Sequence, residues 1–495
     1  MRVGGRIIAG LLGGAALGTP VLATTLQEAF IETYNSSPAL NAARAQLRAT
    51  DEGVPIAKAQ SRVQASSTLG LSQNTNGITR LNSGGRTLTA QLNLSYPLFQ
   101  GGRVKNAINA AESRVSGGRA DLRTTEGNIF TQVVAAYMAV IRDSSIVDLN
   151  KKNVAVLNTN LKASRDRFQV GDLTRTDVAQ SEARLSLARS QLATAQGNLT
   201  GSRENFRRVV GIWPEALAQP PALPKLPDTP DQAVEIALQD SPSLQAAGAI
   251  TQAAGFDVRA ARAQRLPTVS AIGGTNYNNY LGTINQISGG FGGDNSQGSN
   301  SVGVSLNLPL YQGGLVGARV RQAQAVQNQA VEQGIDIERQ VIANTRAAFA
   351  SYRAAAEAIT ANKQAVSANE LALEGVRAEN RVGTRTVLEV LNAEQELLNA
   401  QVDLVSAQYD QYVAGFALLN AMGEAEARDL GLDGGSLYDP MANYNHVRNW
   451  LGDWSDQPAY TPRGTHTTGP TPADPDVAPY DPEAPSNRAV TPPRQ

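Results

Sequence analysis

Two short segments pair a threonine with an acid three residues later: Thr174 with Asp177, and Thr386 with Glu389. In that spacing the hydroxyl and the carboxylate can satisfy free N–H groups at the start of a helix, and the acid meets the favourable end of the helix dipole. Capping alone accounts for both pairs. A second reading is electrostatic. Several copies of Glu389 gathered round one opening would form a ring that draws cations, and Arg385 could bind Asp177 of a neighbouring helix pair to hold that opening shut. Little else in the chain could do chemistry. It has no cysteine, so disulfides, thiol chemistry, cysteine-held zinc and a cysteine-linked lipid anchor are all excluded. Its two histidines, His446 and His466, sit near the C-terminus, which leaves no histidine-based triad or histidine-rich metal site in residues 1–445. We therefore expect no catalytic, cofactor or metal site. Lys and Arg total 43 against 44 Asp and Glu, a balance that argues against nucleic acid as a partner. With 5% aromatics in 495 residues, two or three domains are expected rather than one large core.

The two turns lie between helical stretches. Proline is absent between Pro97 and Pro214 and between Pro309 and Pro440. Arg103–Val170 can thus form one nearly continuous helix about 100 Å long at 1.5 Å per residue, with Gly117-Gly118 as its weak point. A turn at Gly171–Arg175 leads to a second helix ending near Val210. The same plan recurs with a turn at Gly383–Arg385. There, Leu388, Leu391, Leu398, Val402, Val405, Tyr409, Tyr412, Phe416 and Leu419 form one apolar seam, and Val390, Leu397, Leu404 and Leu418 a second. Two seams suit a wall in which each helix touches neighbours on both sides.

The chain is one unit written twice. Residues 25–42 match 229–246 at an offset of 204, Pro38 falling on Pro242; further on the offset is 212, with Pro97–Gly102 on Pro309–Gly314, Val170-Gly171 on Val382-Gly383, Asp177 on Glu389, Glu182 on Glu394 and Gly211 on Gly423. A constant offset over this length means a duplicated structural unit. The eight extra residues fall in the Gly-, Asn- and Ser-rich run Asn276–Asn300, expected to be a loop. Leu88–Tyr96 and Val302–Leu310 alternate apolar and polar residues with period two. Weaker strand candidates at Ser66–Gln73 and Val269–Tyr277 precede them, so four strands in two hairpins are expected, at about 66–97 and 268–310.

The remaining divisions follow composition. Residues 1–23 have two arginines, a short apolar run and Val21-Leu22-Ala23, the pattern of a secretory signal cleaved after Ala23. Residues 24–211 and 230–423 are the repeats, joined by the proline-rich linker 212–229. A further segment covers 424–456. The tail 457–495 has ten prolines and reads as disordered.

Four strands cannot close a barrel, and left open they expose an apolar face and two edges. In lipid only a closed barrel satisfies every backbone group. Strands about ten residues long with one apolar face match an outer-membrane barrel closed by oligomerisation, with Leu92, Leu94, Val304, Leu306 and Leu308 toward lipid. A trimeric coiled-coil structural or adhesive envelope protein is the alternative; it explains the long helices but not two hairpins in register with the duplication. A periplasmic enzyme is a weaker one.

The chain resembles the TolC-type outer-membrane factor family from about Thr25 to Gly423. The resemblance rests on the duplication, the pairs Ser37-Pro38 and Ser241-Pro242, the PLFQGG and PLYQGG junctions, and the turn motifs RFQVGDLTRTDV (167–178) and RVGTRTVLEVLNAEQ (381–395). It implies an α+β membrane protein: a homotrimer with a 12-stranded outer-membrane β-barrel continued by a periplasmic α-helical barrel, girdled by a mixed domain built from the linker and the residues after Gly423. It implies a passive exit duct, not an enzyme, for a tripartite efflux pump or a type I secretion system. Its partners would be outer-membrane lipid, a periplasmic adaptor and an inner-membrane RND, ABC or MFS transporter. Thr176, Asp177, Gly383, Arg385 and Glu389 match the family's gate positions, with Asn392 where an acid is common and Asn380 where an aromatic can stand. The exposed turns Val170, Gly171, Asp172, Leu173 and Val382, Gly383, Thr384 suit adaptor docking.

Overall fold

Short helices open each half of the chain. The computed structural model describes residues 24–73, 86–282, 294–432, 437–454, 456 and 458–462; the expected signal segment 1–23 and nearly all of the expected tail 457–495 lie outside them. The first half runs α1 (Leu26–Ser36), α2 (Pro38–Asp51), α3 (Gly53–Ala59), β1 (Gln64–Gln73), β2 (Arg86–Phe99), α4 (Arg103–Gln169) and α5 (Arg175–Val210). The second half repeats the plan: α6 (Pro230–Asp240), α7 (Pro242–Ala263), β3 (Thr268–Asn279), β4 (Ser296–Asn307), α8 (Leu315–Arg381) and α9 (Val387–Met422). A short α10 (Ala442–Val447) follows. Both 67-residue helices start after two glycines with positive φ, Gly101-Gly102 and Gly313-Gly314, a left-handed turn that side chains with a Cβ adopt only with strain.

Helix α4 passes unbroken through Gly117-Gly118. These glycines mark a thin place instead of a break. A Cβ at Gly117 would meet Ala249 and the carbonyl of Ala246 on α7 at 3.5 Å, and one at Gly118 would meet Leu47 on α2 at 3.3 Å. Neighbouring helices thus close on both sides of α4 there.

The strands form one antiparallel sheet in the order β1-β2-β3-β4, so β1 and β4 are edges. Directly opposed residues share a face. Register puts Leu69 beside Ala90 and Tyr277, Leu94 beside Ala65 and Gly273, Gly273 beside Val302, and Ala271 beside Val304. The other face carries Thr68, Gln91, Asn276 and Ser299 in one row and Ser66, Asn93, Gly274 and Ser301 in the next. One face is therefore mainly apolar, although Leu92 stands there among Ser67, Thr275 and Asn300, and the other is mainly polar, although it carries Ile272. The run Asn276–Asn300 is not all loop: Asn276–Asn279 end β3 and Ser296–Asn300 begin β4, with Asn276, Asn278, Gln297 and Ser299 on the polar face and Asn279, Ser296 and Asn300 on the face of Leu88 and Leu92; residues 283–293 lie outside the described ones. At its other end β4 stops at Asn307, short of the expected Leu310, because its last partner is Thr268 at the start of β3 and Pro309 has no N–H to donate.

The main core lies midway along the helices. Phe30 packs edge-on to Phe130 with ring centroids 5.0 Å apart, and Phe130, Val133, Tyr137, Phe206, Leu418 and Met422 are fully buried. Linker and C-terminal segment wrap this level. Thr24 bonds to Ala216 and Ala218, and the Tyr137 hydroxyl donates toward the Ala218 carbonyl at 2.7 Å; burial pushes its pKa up to about 12. The Glu126 carboxylate accepts from Ala427 N–H at 2.6 Å, and burial raises its pKa. No helix among the described residues is long and apolar enough to cross a membrane.

Candidate functional site at the hairpin turns and the sheet

Each long hairpin turns through the same bonds. Helix α4 closes with Gly171 N–H donating to Phe168 O and Asp172 N–H to Arg167 O, and α8 with Gly383 N–H to Asn380 O and Thr384 N–H to Glu379 O. This double closure requires a left-handed residue, and Gly171 and Gly383 stand at φ 85° and 86°. The following helices start with reciprocal caps. Thr174 N–H donates to Asp177 at 3.0 Å and Asp177 N–H to Thr174 Oγ1 at 3.3 Å; Thr386 N–H donates to Glu389 at 2.8 Å and Glu389 N–H to Thr386 Oγ1 at 3.4 Å. Capping of both acids is thus observed.

The tips differ in how their charges pair. In the first, Asp172 accepts from Arg167 at 2.6 Å, and Thr176 is exposed beside Asp177. In the second, Arg385 lies between two acids of its own hairpin, at 2.7 Å from Glu379 and 2.6 Å from Glu389. Among the described residues Arg385 makes no ion pair with Asp177 within the chain. Glu379, six residues upstream across the turn, is the partner that sequence spacing did not suggest. The Thr386 N–H, then Arg385, then the Thr386 hydroxyl hold Glu389 down to about 2, and Glu379 and Glu389 raise the Arg385 guanidinium. Arg381 in the same turn balances the count, two acids to two arginines over residues 379–389; what distinguishes this tip is that both acids are held on Arg385. Asn380 donates to the Arg385 carbonyl at 2.8 Å. Val170 and Val382 at the apices are 80% and 75% exposed; Thr384 is exposed and Leu173 half-buried.

Two bonds join the hairpins just behind the tips. Arg184 on α5 donates to Asn392 on α9 at 2.6 Å. Glu394 is buried, its side chain only 4% exposed, and takes Arg377 of α8 at 2.9 Å and Asn160 of α4 at 2.8 and 3.0 Å. Sequence reasoning matched Glu394 to Glu182 but passed over its role. The signal was there: 212 residues earlier Arg165 pairs with Glu182, so the duplication conserves an arginine–glutamate pair. Between the hairpins runs a cleft of about 530 Å³ lined by Asn150, Gln191, Gln395, Asn399 and Asp403 among others.

On the sheet, Leu92, Leu94, Val304 and Leu306 stand among the exposed apolar side chains, with Leu94, Val304 and Leu306 in the rows of the apolar face set by register, and Leu92 two residues from Leu94 on it. Leu308 lies one residue beyond the end of β4, still exposed but outside the strand.

A sheet with one mainly apolar face and two open edges, continued by a pair of hairpins whose longer helices run about 100 Å, defines a channel protein of the outer membrane with a large periplasmic helical part. The chain belongs to the outer membrane efflux protein family, whose model matches residues 32–212 and 233–424. It is 36% identical over 444 residues to the outer membrane efflux protein BepC of Brucella suis, covering 89% of this chain and 95% of that protein. It is 27% identical to the outer membrane protein TolC of Vibrio cholerae, over 77% of this chain and 87% of that one. Its fold matches the crystal structure of the Campylobacter jejuni CmeC outer membrane channel with a TM-score of 0.72 at 16% identity, over 86% of this chain and 89% of that chain.

Proposed function

We propose that three copies assemble into one continuous duct, twelve strands in the outer membrane and a helical barrel below. This duct passes cargo from an inner-membrane RND, ABC or MFS transporter, joined through a periplasmic adaptor, in drug efflux or type I secretion. The observation that carries this reading is the unequal burial of the two copies of the long helix. Helix α4 buries 24 of its 67 residues and α8 only eight. One flank of α4 is covered by its own repeat, α2, α3 and α5, and the other by α7 and α9 of the second repeat. Helix α8 has α7 and α9 of its own repeat but no comparable contact with α5 or α2. The duplication makes α5 and α2 of the next copy the matching cover. The same step sets the free edge of β4 against β1 of that copy, which removes both edges.

Within the duct, the three tips of the second repeat converge as a ring in which Glu379 and Glu389 flank Arg385, and Asp177, Thr176 and Asn392 lie at the same level. This ring prefers cations. The turns at Val170–Leu173 and Val382–Thr384 are the adaptor's docking points. Single-channel recording from the purified protein in a planar bilayer tests the reading: stepwise, cation-preferring conductance is expected, and a protein that purifies folded yet never opens a conductance overturns it.

A further inference from the structure

We propose that the segment Trp450–Trp454 is a membrane anchor that seats the protein in the inner leaflet of the outer membrane, its occupant being the phospholipid interface at the foot of the barrel. The inference rests on the reading that the sheet crosses that membrane. Its first support is position. Lys58 Nζ donates to the Arg448 carbonyl at 3.1 Å and to Asn449 Oδ1 at 3.2 Å, and Arg62 Nη1 donates to the Trp450 carbonyl at 2.6 Å. Arg62 stands two residues before β1 begins at Gln64, about 7 Å of extended chain. Gln60 nearby is tied to Gln100 and Arg103, where β2 hands over to α4. The C-terminal segment is thus bolted at the level where helices become strands. Trp454 can lie no more than about 14 Å from that bolt.

The second support is chemistry. Trp454 is 98% exposed and Leu451 75%, and Ile56 and Val63 on the α3–β1 side are exposed as well. The Trp450 ring lies on His446 with centroids 5.0 Å apart. Val63 runs on through Gln64 to Ala65, which stands opposite Leu94 on the apolar face of the sheet. Tryptophan concentrates at the headgroup level, where its ring is buried and its N–H stays wet. Asp453 and Asp456 beside it keep the segment shallow. A chain without cysteine has no cysteine-linked lipid, and an aromatic anchor fixes its height in the bilayer by another means.

The test uses intrinsic fluorescence, because the chain has three tryptophans and the remaining one, Trp213, lies in the linker. Full-length W213F protein is reconstituted into phospholipid nanodiscs whose acyl chains are brominated near the headgroup. Blue-shifted emission that the brominated lipid quenches is the expected result. In parallel, Leu306→Trp in a W213F/W450F/W454F background reports the lipid face of β4. Quenching at 306 but none from Trp450 and Trp454 overturns the anchor and leaves the barrel standing. In that case solvent-like emission means a free segment and blue-shifted, unquenched emission means cover by a neighbouring copy. Quenching at neither position removes the barrel reading and the anchor with it.

Discussion

Glu389 carries two roles at once. It caps α9 and binds Arg385, and its depressed pKa of about 2 keeps it charged in the window between that value and about 4.3, where an unperturbed glutamate is already largely protonated. The sign follows: a carboxyl lowered in the folded protein loses its charge only as pH falls through that lowered value. Cation preference in bilayer recordings should therefore persist at pH 4, and Glu389→Ala should reduce it at every pH above that. Arg385→Ser frees Glu379 and Glu389 together, so the prediction is a stronger cation preference and a larger conductance; unchanged selectivity in both variants would leave capping as the only role. Glu394 is different in kind, since it is buried and bonded to two other helices. Glu394→Ala leaves Asn160 without its partner, although Arg377, 45% exposed, can turn to water. A loss of about 1–2 kcal/mol is expected, read as a lower thermal midpoint, with Glu394→Gln milder. The caps were legible in the sequence because they are local, three residues apart. The Glu379–Arg385 pair and the Asn160–Glu394 bond were not, because a turn and a neighbouring helix bring their partners together.

At the scale of elements, the turns and strands make separate predictions. Proline holds φ near −65°, while Gly171 and Gly383 stand at φ 85° and 86°. Gly383→Pro should abolish export in a deletion strain while the protein still reaches the outer membrane; full export would show that the turn is not a docking point. On the sheet, Leu92→Arg or Leu306→Arg should weaken membrane assembly by about 2–4 kcal/mol. Asn93→Arg and Ser305→Arg, on the polar face, should be tolerated, and equal tolerance at all four positions in an assembly assay would contradict the lipid-facing assignment. Alternation made the strands legible, but not their limits. β3 and β4 extend into the Asn- and Ser-rich run because their backbones go on pairing there, from Asn276 with Ser299 to Asn279 with Ser296, whatever face the polar side chains take. β4 ends early for want of a partner, a limit that Pro309 signals in the sequence and the apolar alternation up to Leu310 conceals. Gly117-Gly118 misled in a like way: glycine's cost within a helix is visible in sequence, whereas close packing of α2 and α7 against it is not.

The whole molecule is incomplete as a single chain. One repeat is covered on both flanks and its copy on one, the sheet has two free edges, and an apolar face lies open. Each of these is met by one operation, the addition of further copies by the step that relates the repeats. Helix α4 touches α9 within the chain through Asn160 and Glu394. The positions 212 residues away in each repeat are Ala372 on α8 and Glu182 on α5, both exposed in the single chain. If the next copy completes the wall, its Glu182 lies against Ala372. The chain's freedom from cysteine makes the test clean. A Glu182→Cys, Ala372→Cys double variant, treated in outer membranes with a short bis-thiol reagent, should give a covalent band of three chains, with each single-cysteine variant remaining monomeric on denaturing gels. A double variant that stays monomeric, or that forms an open ladder beyond three, would contradict the closed trimeric duct.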